Sequence, residues 1–205
     1  MGAGKAPFRW SCGVSPMALC VWSRETRTRP RRSSRTAAGL VAAVLASIGT
    51  AAAQPESPAR ELSALFTRSC LPHAGDPSGL RAWAQRLGLA EIPDPARAAF
   101  LHGAPGIVFD ATAPSGKYVV VSADDGICAA IAERADGGQV AAALEDGLGA
   151  IGVTFRLVIE RDDKNQTVLH HREYLATKGK RGWRILAATV KGKDGGLAML
   201  TAAPE

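Results

Sequence analysis

No stretch of this chain holds the roughly 18 or more uncharged, strongly apolar residues that a membrane-crossing helix needs. That excludes a protein built of several spanning helices. The familiar catalytic signatures are missing too: there is no G-x-S-x-G, no H-E-x-x-H and no C-x-x-C. Gly103-Ala104-Pro105-Gly106 is not followed by the Lys-Ser/Thr of a phosphate-binding loop. These absences remove the enzymes that a motif alone would announce, and no cofactor is called for. Aromatic residues make up only 5% of the chain, and no internal repeat or low-complexity tract occurs outside the first 53 residues. What is present is enough for a packed domain. Charged residues are 21% and Val, Ile and Leu are ample, so the chain is not disordered throughout. A length of 205 residues fits one domain.

The formal charge is +6 and the pI near 9.5, which invites a nucleic-acid or anionic-membrane partner. The position of the charges withdraws the invitation. Arg29, Arg31, Arg32 and Arg35 precede an apolar run, Ala37 to Ile48, and Ala51-Ala52-Ala53 follows it. A basic stretch, a short apolar core and small residues at the exit are the order of a secretory signal. The expected cleavage lies after Ala51-x-Ala53, leaving Gln54 as the new N-terminus. At 12 residues the run is short of the about 20 that span a bilayer. Residues 1–28 are long for an ordinary basic region, which makes Met17, or a start nearer Arg29, a candidate for the true beginning. After Arg31-Arg32 come Ser33, Ser34 and Arg35 rather than apolar residues, which disfavours twin-arginine export. No Cys directly follows the run to take a lipid anchor. Residues 1–53 carry eight basic residues and one acidic one, so residues 54–205 keep 17 basic and 18 acidic, a net of −1. No nucleic-acid partner and no membrane span are expected for that part, and an envelope or periplasmic partner is.

Of four cysteines, Cys12 and Cys20 belong to the leader and Cys70 and Cys128 remain. An even count in an exported chain predicts one disulfide. Cys70-x-x-His73 could instead be a thiolate–imidazole pair. An isolated Cys-His spacing is a weak signal, and a partner cysteine outside the cytoplasm favours the disulfide.

Along the remaining chain, residues 54–58 read as a linker and 59–205 as a single α+β domain. Ser57-Pro58 starts a helix in which Leu62, Leu65, Phe66 and Cys70 form one stripe, and Leu71-Pro72 is expected to end it. Asp76-Pro77 opens a second helix with Leu80, Trp83, Ala84 and Leu87, stopped by Gly88. Asp94-Pro95 opens a third, through about Leu101. The period then changes. Residues 106–111, 117–122 and 127–132 are β-branched or apolar runs separated by turn residues. Residues 139–148 read as an inserted helix. Ile151 to Arg161 alternates strictly, and residues 166–176, 182–190 and 196–202 complete the expected strands. Helices first and clustered strands later predict α+β with an antiparallel sheet, one face of it wet.

The histidines are His73, His102, His170 and His171. Neighbours on a strand point to opposite faces, so His170 and His171 cannot easily share a metal. His171 with Glu173 offers two ligands at i, i+2, short of a site, and no metal is expected. A two- or four-residue loop to the previous strand puts His170 with Phe155 and Leu157. A three- or five-residue loop turns His171 inward instead. Lys178, Lys180, Arg181 and Arg184 around Trp183 are the composition of a phosphate or single-strand grip, but also of a solvated hairpin tip, which the near-neutral charge of residues 54–205 favours. Asp124-Asp125 and Asp162-Asp163 fall in turns, where carboxylates stay solvated rather than acquire the raised pKa of an acid catalyst.

The order of leader, opening helix ending in Cys70, Gly126-Ile127-Cys128 strand, helix and C-terminal strands resembles small exported bacterial proteins without an assigned activity. The resemblance covers most of residues 59–203 and implies periplasmic residence and a single disulfide. It carries no catalytic residues. The expectation is an exported binding or envelope-accessory protein that is not an enzyme. The rival is a periplasmic hydrolase assembled from dispersed residues such as His73, His102, His170 and Glu173. A partner-binding module presenting a sheet face is a third possibility.

Overall fold

Residues 57–163, 168–192 and 195–205 are described by the structure, a computed structural model. The expected leader, its cleavage site at Ala51, Ala53 and Gln54, and residues 54–56 of the expected linker lie outside them.

Helix α1 spans Pro58–His73. Ser57 Oγ accepts the Arg60 amide at 3.4 Å and Pro58 takes the first helical position, where its missing N–H costs nothing. The helix does not end at Leu71-Pro72. Pro72 lies in the last turn, and the Ala74 amide still reaches the Cys70 carbonyl at 2.7 Å. A proline this late removes one intrahelical bond rather than breaking a ladder. Helix α2 spans Pro77–Arg86, with the Gly79 amide on Asp76 Oδ1 at 2.9 Å. Leu87, expected on its apolar stripe, falls beyond the last turn and is 60% exposed. The expected third helix contracts to α3, Ala98–Leu101, because residues 95–100 close i→i+3 turn bonds instead of a continuous helical ladder. Helix α4 spans Gly137–Ala150, and Asp136 Oδ1 accepts the Gln139 amide at 2.9 Å.

The strands are β1 Ala90–Glu91, β2 Gly106–Asp110, β3 Tyr118–Ala123, β4 Cys128–Ala135, β5 Thr154–Asp162, β6 Leu169–Lys178, β7 Arg181–Val190 and β8 Gly196–Pro204. They form one antiparallel sheet in the order β1-β2-β3-β4-β8-β7-β6-β5. The chain is therefore α+β. It lays down two meanders. After the first, α4 carries the chain across the sheet to its far edge, and the second returns strand by strand until β8 pairs with β4. Strand β1 had no sequence signal, since two residues cannot display an alternation.

Helices α1 and α4 pack side by side on one face of the sheet. Ser63 Oγ donates to the Ala143 carbonyl at 2.7 Å, and a Cβ on Gly147 would stand 2.7 Å from that hydroxyl. Glycine here permits the two helices to touch. Beneath them lie Phe109, Tyr118, Val120, Tyr174, Ile185 and Leu200, in one continuous core. Cys70 is joined to Cys128, fastening the end of α1 to the start of β4 across 58 residues of sequence. A second, smaller cluster, Val108, Val121, Ala129 and Ile131, fills the opposite face against Phe100 and Leu101 of α3. No helix among the described residues is long and apolar enough to cross a membrane.

The strand expected from Ile151 starts later, because α4 runs on to Ala150 with Ile151 as its cap. Its alternation is also interrupted. Leu157 pairs with Tyr174 but Ile159 pairs with Glu173, so Val158 is an extra residue. One inserted residue reverses the facing of everything after it. Leu157 and Ile159 therefore point to opposite sides of an edge strand and are 43% and 39% exposed.

Candidate functional site

The bulge at Val158 decides where the histidines go. Asp162 pairs with His170 and Arg161 with His171. His170 consequently shares the helix-covered face with Phe155 and Tyr174, and His171 the other face. The Asp163 amide reaches the Leu169 carbonyl at 2.8 Å, so the connection is an odd, five-residue one. That length was expected to turn His171 inward. The inserted residue restores the opposite parity.

At the α4 N-terminal end of the covered face, β5 and β6 assemble a chain of charges. His170 Nδ1 lies 2.9 Å from Asp162 Oδ1, and its Nε2 lies 3.3 Å from Glu160 Oε1. Arg172 Nε donates to Glu160 Oε1 at 2.9 Å, and Lys191 Nζ donates to Asp162 Oδ1 at 3.1 Å. Deeper in, the Tyr174 hydroxyl donates to Glu145 Oε1 of α4 at 2.8 Å. Burial, followed by that carboxylate, pushes the Tyr174 phenol up to about 12. The bond from Arg172 holds Glu160 below its ordinary value, and the bonds from His170 and then Lys191 do the same for Asp162. A cavity of about 360 Å³ opens beside this chain, against Gly137 and Gly138.

The arrangement is poor for catalysis. Both carboxylates are stabilised as anions, so neither is the raised-pKa acid that glycoside hydrolysis needs. Both ring nitrogens of His170 lie against carboxylate oxygens, at 2.9 and 3.3 Å, rather than against a hydroxyl or thiol. The hydroxyl that is its cross-strand neighbour, on Thr189, is buried against the first turn of α4.

The other named residues are dispersed. His73 ends α1, where burial lowers its pKa despite the nearby Asp76. His102 caps α3 in the left-handed region. Glu173 receives Arg184 Nη1 at 2.6 Å on the face that carries His171. No hydrogen bond or ion pair among the described residues joins one histidine to another, and no group of three His, Cys, Asp or Glu is placed to hold a metal.

The basic hairpin tip between β6 and β7 divides differently from its sequence reading. Arg184 leaves the set, since it pairs with Glu173 and Glu205. Trp183 is 5% exposed and belongs to the core, so it is not a platform for stacking a base. Lys178, Lys180 and Arg181 instead rim a groove of about 490 Å³ at the opposite end of the helix layer. Leu71 and Pro72 of α1, Ile151, Val153 and Trp183 make its apolar walls, and no carboxylate lines it. Lys178 Nζ donates to the Ile151 carbonyl at 2.7 Å, and Arg181 Nη1 to the Pro72 carbonyl at 3.4 Å. None of the three cations has an ion-pair partner among the described residues.

No family model, no curated protein and no solved structure matches this chain. The groove could not be found in the sequence, because it joins the end of α1, the end of α4 and the β6–β7 tip.

Proposed function

We propose that this is an exported, periplasmic binding protein that acts without catalysis, with the basic-rimmed groove as its binding site. The observation that carries the reading is the groove: three cations with no ion-pair partner among the described residues stand over apolar walls, and no carboxylate lines it. The leader-like first 53 residues, the disulfide and the −1 net charge of residues 54–205 support export and disfavour nucleic acid. The dispersion of the histidines supports binding over hydrolysis.

The test expresses the full chain with its leader in a Gram-negative host and purifies the protein natively from the periplasmic fraction. Mass spectrometry then compares the small molecules released from it and from a K180E/R181E variant. A chain beginning at Gln54, carrying a bound species that the variant lacks, is the expected result. Retention in the cytoplasm, or identical background from both proteins, would overturn the proposal.

A hydrolase centred on His170 is the second reading, favoured by the Asp162–His170 contact beside an open cavity. Its test is turnover of ester, amide and glycoside substrates by the native protein and by H170A. Activity lost in H170A would establish it in place of the first.

A further inference from the structure

We infer that the groove at the C-terminal ends of α1 and α4 holds a free long-chain carboxylate, its head on Lys180 and Arg181 and its hydrocarbon along Pro72 and Ile151, over a floor of Val153 and Trp183. The inference rests on the binding reading above and names its ligand class.

The charge at this end is of one sign. Pro72 and Ile151 stand at the ends of two helices, where unsatisfied carbonyls carry partial negative charge. That charge alone would repel an anion. Here each end is covered by a cation, Arg181 on the Pro72 carbonyl and Lys178 on the Ile151 carbonyl. An ammonium and a guanidinium each carry several N–H groups, and these contacts use one of each. Lys180 has no hydrogen bond or ion pair among the described residues and is exposed. The lining therefore keeps positive charge and donors in excess, and it has no acid to neutralise them. Asp76 and Glu205 stand only in the adjoining cleft beyond Arg181. There Asp76 is engaged by Ser78 and the Gly79 amide, and Glu205 by Arg184.

The walls are as one-sided as the rim. Ile151 is 39% exposed at the mouth, an apolar side chain that an occupant would cover. Pro72 is exposed beside it, and Val153 and Trp183, 4% and 5% exposed, close the floor beneath. Free phosphate satisfies the cations and leaves this apolar surface wet. A neutral hydrocarbon does the reverse. An amphiphilic anion satisfies both, and a volume of about 490 Å³ lies in the range of pockets that enclose one small molecule. The feature is a concavity with its cations on the rim. A bilayer surface is met instead by protruding apolar side chains, which favours a single extracted molecule.

The test is calorimetric titration of delipidated protein with dodecanoate below its micelle concentration, beside octanoate, inorganic phosphate, dodecyl maltoside and vesicles containing anionic phospholipid. Dodecanoate should bind at one site per chain. It should bind more tightly than octanoate by about two- to fourfold for each added methylene that is buried. The K180Q/R181Q variant, with unchanged thermal unfolding, should bind it at least about tenfold more weakly, the loss of one charge-assisted contact. Phosphate and maltoside should give no saturable heat. Absence of dodecanoate binding, equal affinity for octanoate, or equal affinity of the variant overturns the inference. Saturable binding of phosphate alone, lost in the variant, overturns it and leaves the broader binding reading standing. Binding only to vesicles makes the groove a membrane contact and overturns it. If no probe binds and the native protein carries nothing, both readings fall together.

Discussion

The two ends of the helix layer handle positive charge in opposite ways. At the α4 N-terminal end, Arg172 and Lys191 meet Glu160 and Asp162, which His170 also contacts. At the other end, Lys178 and Arg181 donate to backbone carbonyls, and none of Lys178, Lys180 and Arg181 has an ion-pair partner among the described residues. Both ends carry lysine and arginine, so the cations alone do not distinguish them. The difference lies in what each strand end faces. The bulge in β5 turns Glu160 and Asp162 toward His170 and Arg172, whereas the β6–β7 tip reaches two helix ends with no side-chain carboxylate. A paired cluster is occupied by its own members. An unpaired one has donors to offer a ligand.

The comparison can be broken most severely by loosening what separates the two ends. Replacing Cys70 and Cys128 by Ala frees the end of α1, which forms one wall of the basic groove. Closing a loop of this length corresponds to about 4 kcal/mol in the chain-entropy account. Urea unfolding should show a loss of that order, and in the native protein neither Cys70 nor Cys128 should be alkylated without reductant. Leu144→Ala removes a fully buried side chain from α4, the element that reaches both ends, and should cost about 2–5 kcal/mol by the same measurement. Tyr174→Phe touches the paired end alone. It deletes the buried donor to Glu145 and should cost about 0.5–1.5 kcal/mol, leaving ligand binding at the groove unaltered.

Acid should separate the ends without mutation. His73, beside the basic groove, has a lowered pKa in the folded chain because of burial. The unfolded chain takes up that proton first. Stability is therefore present above the ordinary histidine value, about 6.5, and is lost as pH falls through the folded value. Glu160 and Asp162 are lowered by their cationic partners, so their contribution is present above the ordinary carboxylate range and is lost only as pH drops below it. Unfolding measured against pH should show the His73 step first, and His73→Gln should remove that step alone. A single step in the carboxylate range would contradict the division. The smallest effect is expected from K180Q, which should leave thermal unfolding unchanged while weakening the groove, as measured by dodecanoate titration.

The sequence carried the local signals well. Ser57-Pro58 and Asp76-Pro77 mark helix starts because short side chains and proline act within one turn. The apolar stripe of α1 already placed Cys70 inward. Strand β1 left no signal, and three further features escaped. Pro72 reads as a stop, yet in a last turn it removes only one bond. The Asp94-Pro95 start signal resembles the one at Asp76-Pro77, but turn bonding took its place until Ala98. The strict alternation through Ile159 gave no sign of a bulge, because a bulge is a relation between two strands. Its consequence reached furthest, since it set the facing of His170 and built the paired cluster.

What the sequence by itself determined is therefore short-range: the secondary-structure order, the removable look of the first 53 residues, the near-neutral remainder, and an even pair of cysteines. Those follow from propensity, periodicity and charge counting, which need only neighbours in the chain. Tertiary structure alone decided which cations are paired. Lys178 and Ile151 are 27 residues apart, and Arg181 and Pro72 are 109 apart. The groove exists because the sheet's register brings such distant residues together, and no periodicity along the chain records that meeting.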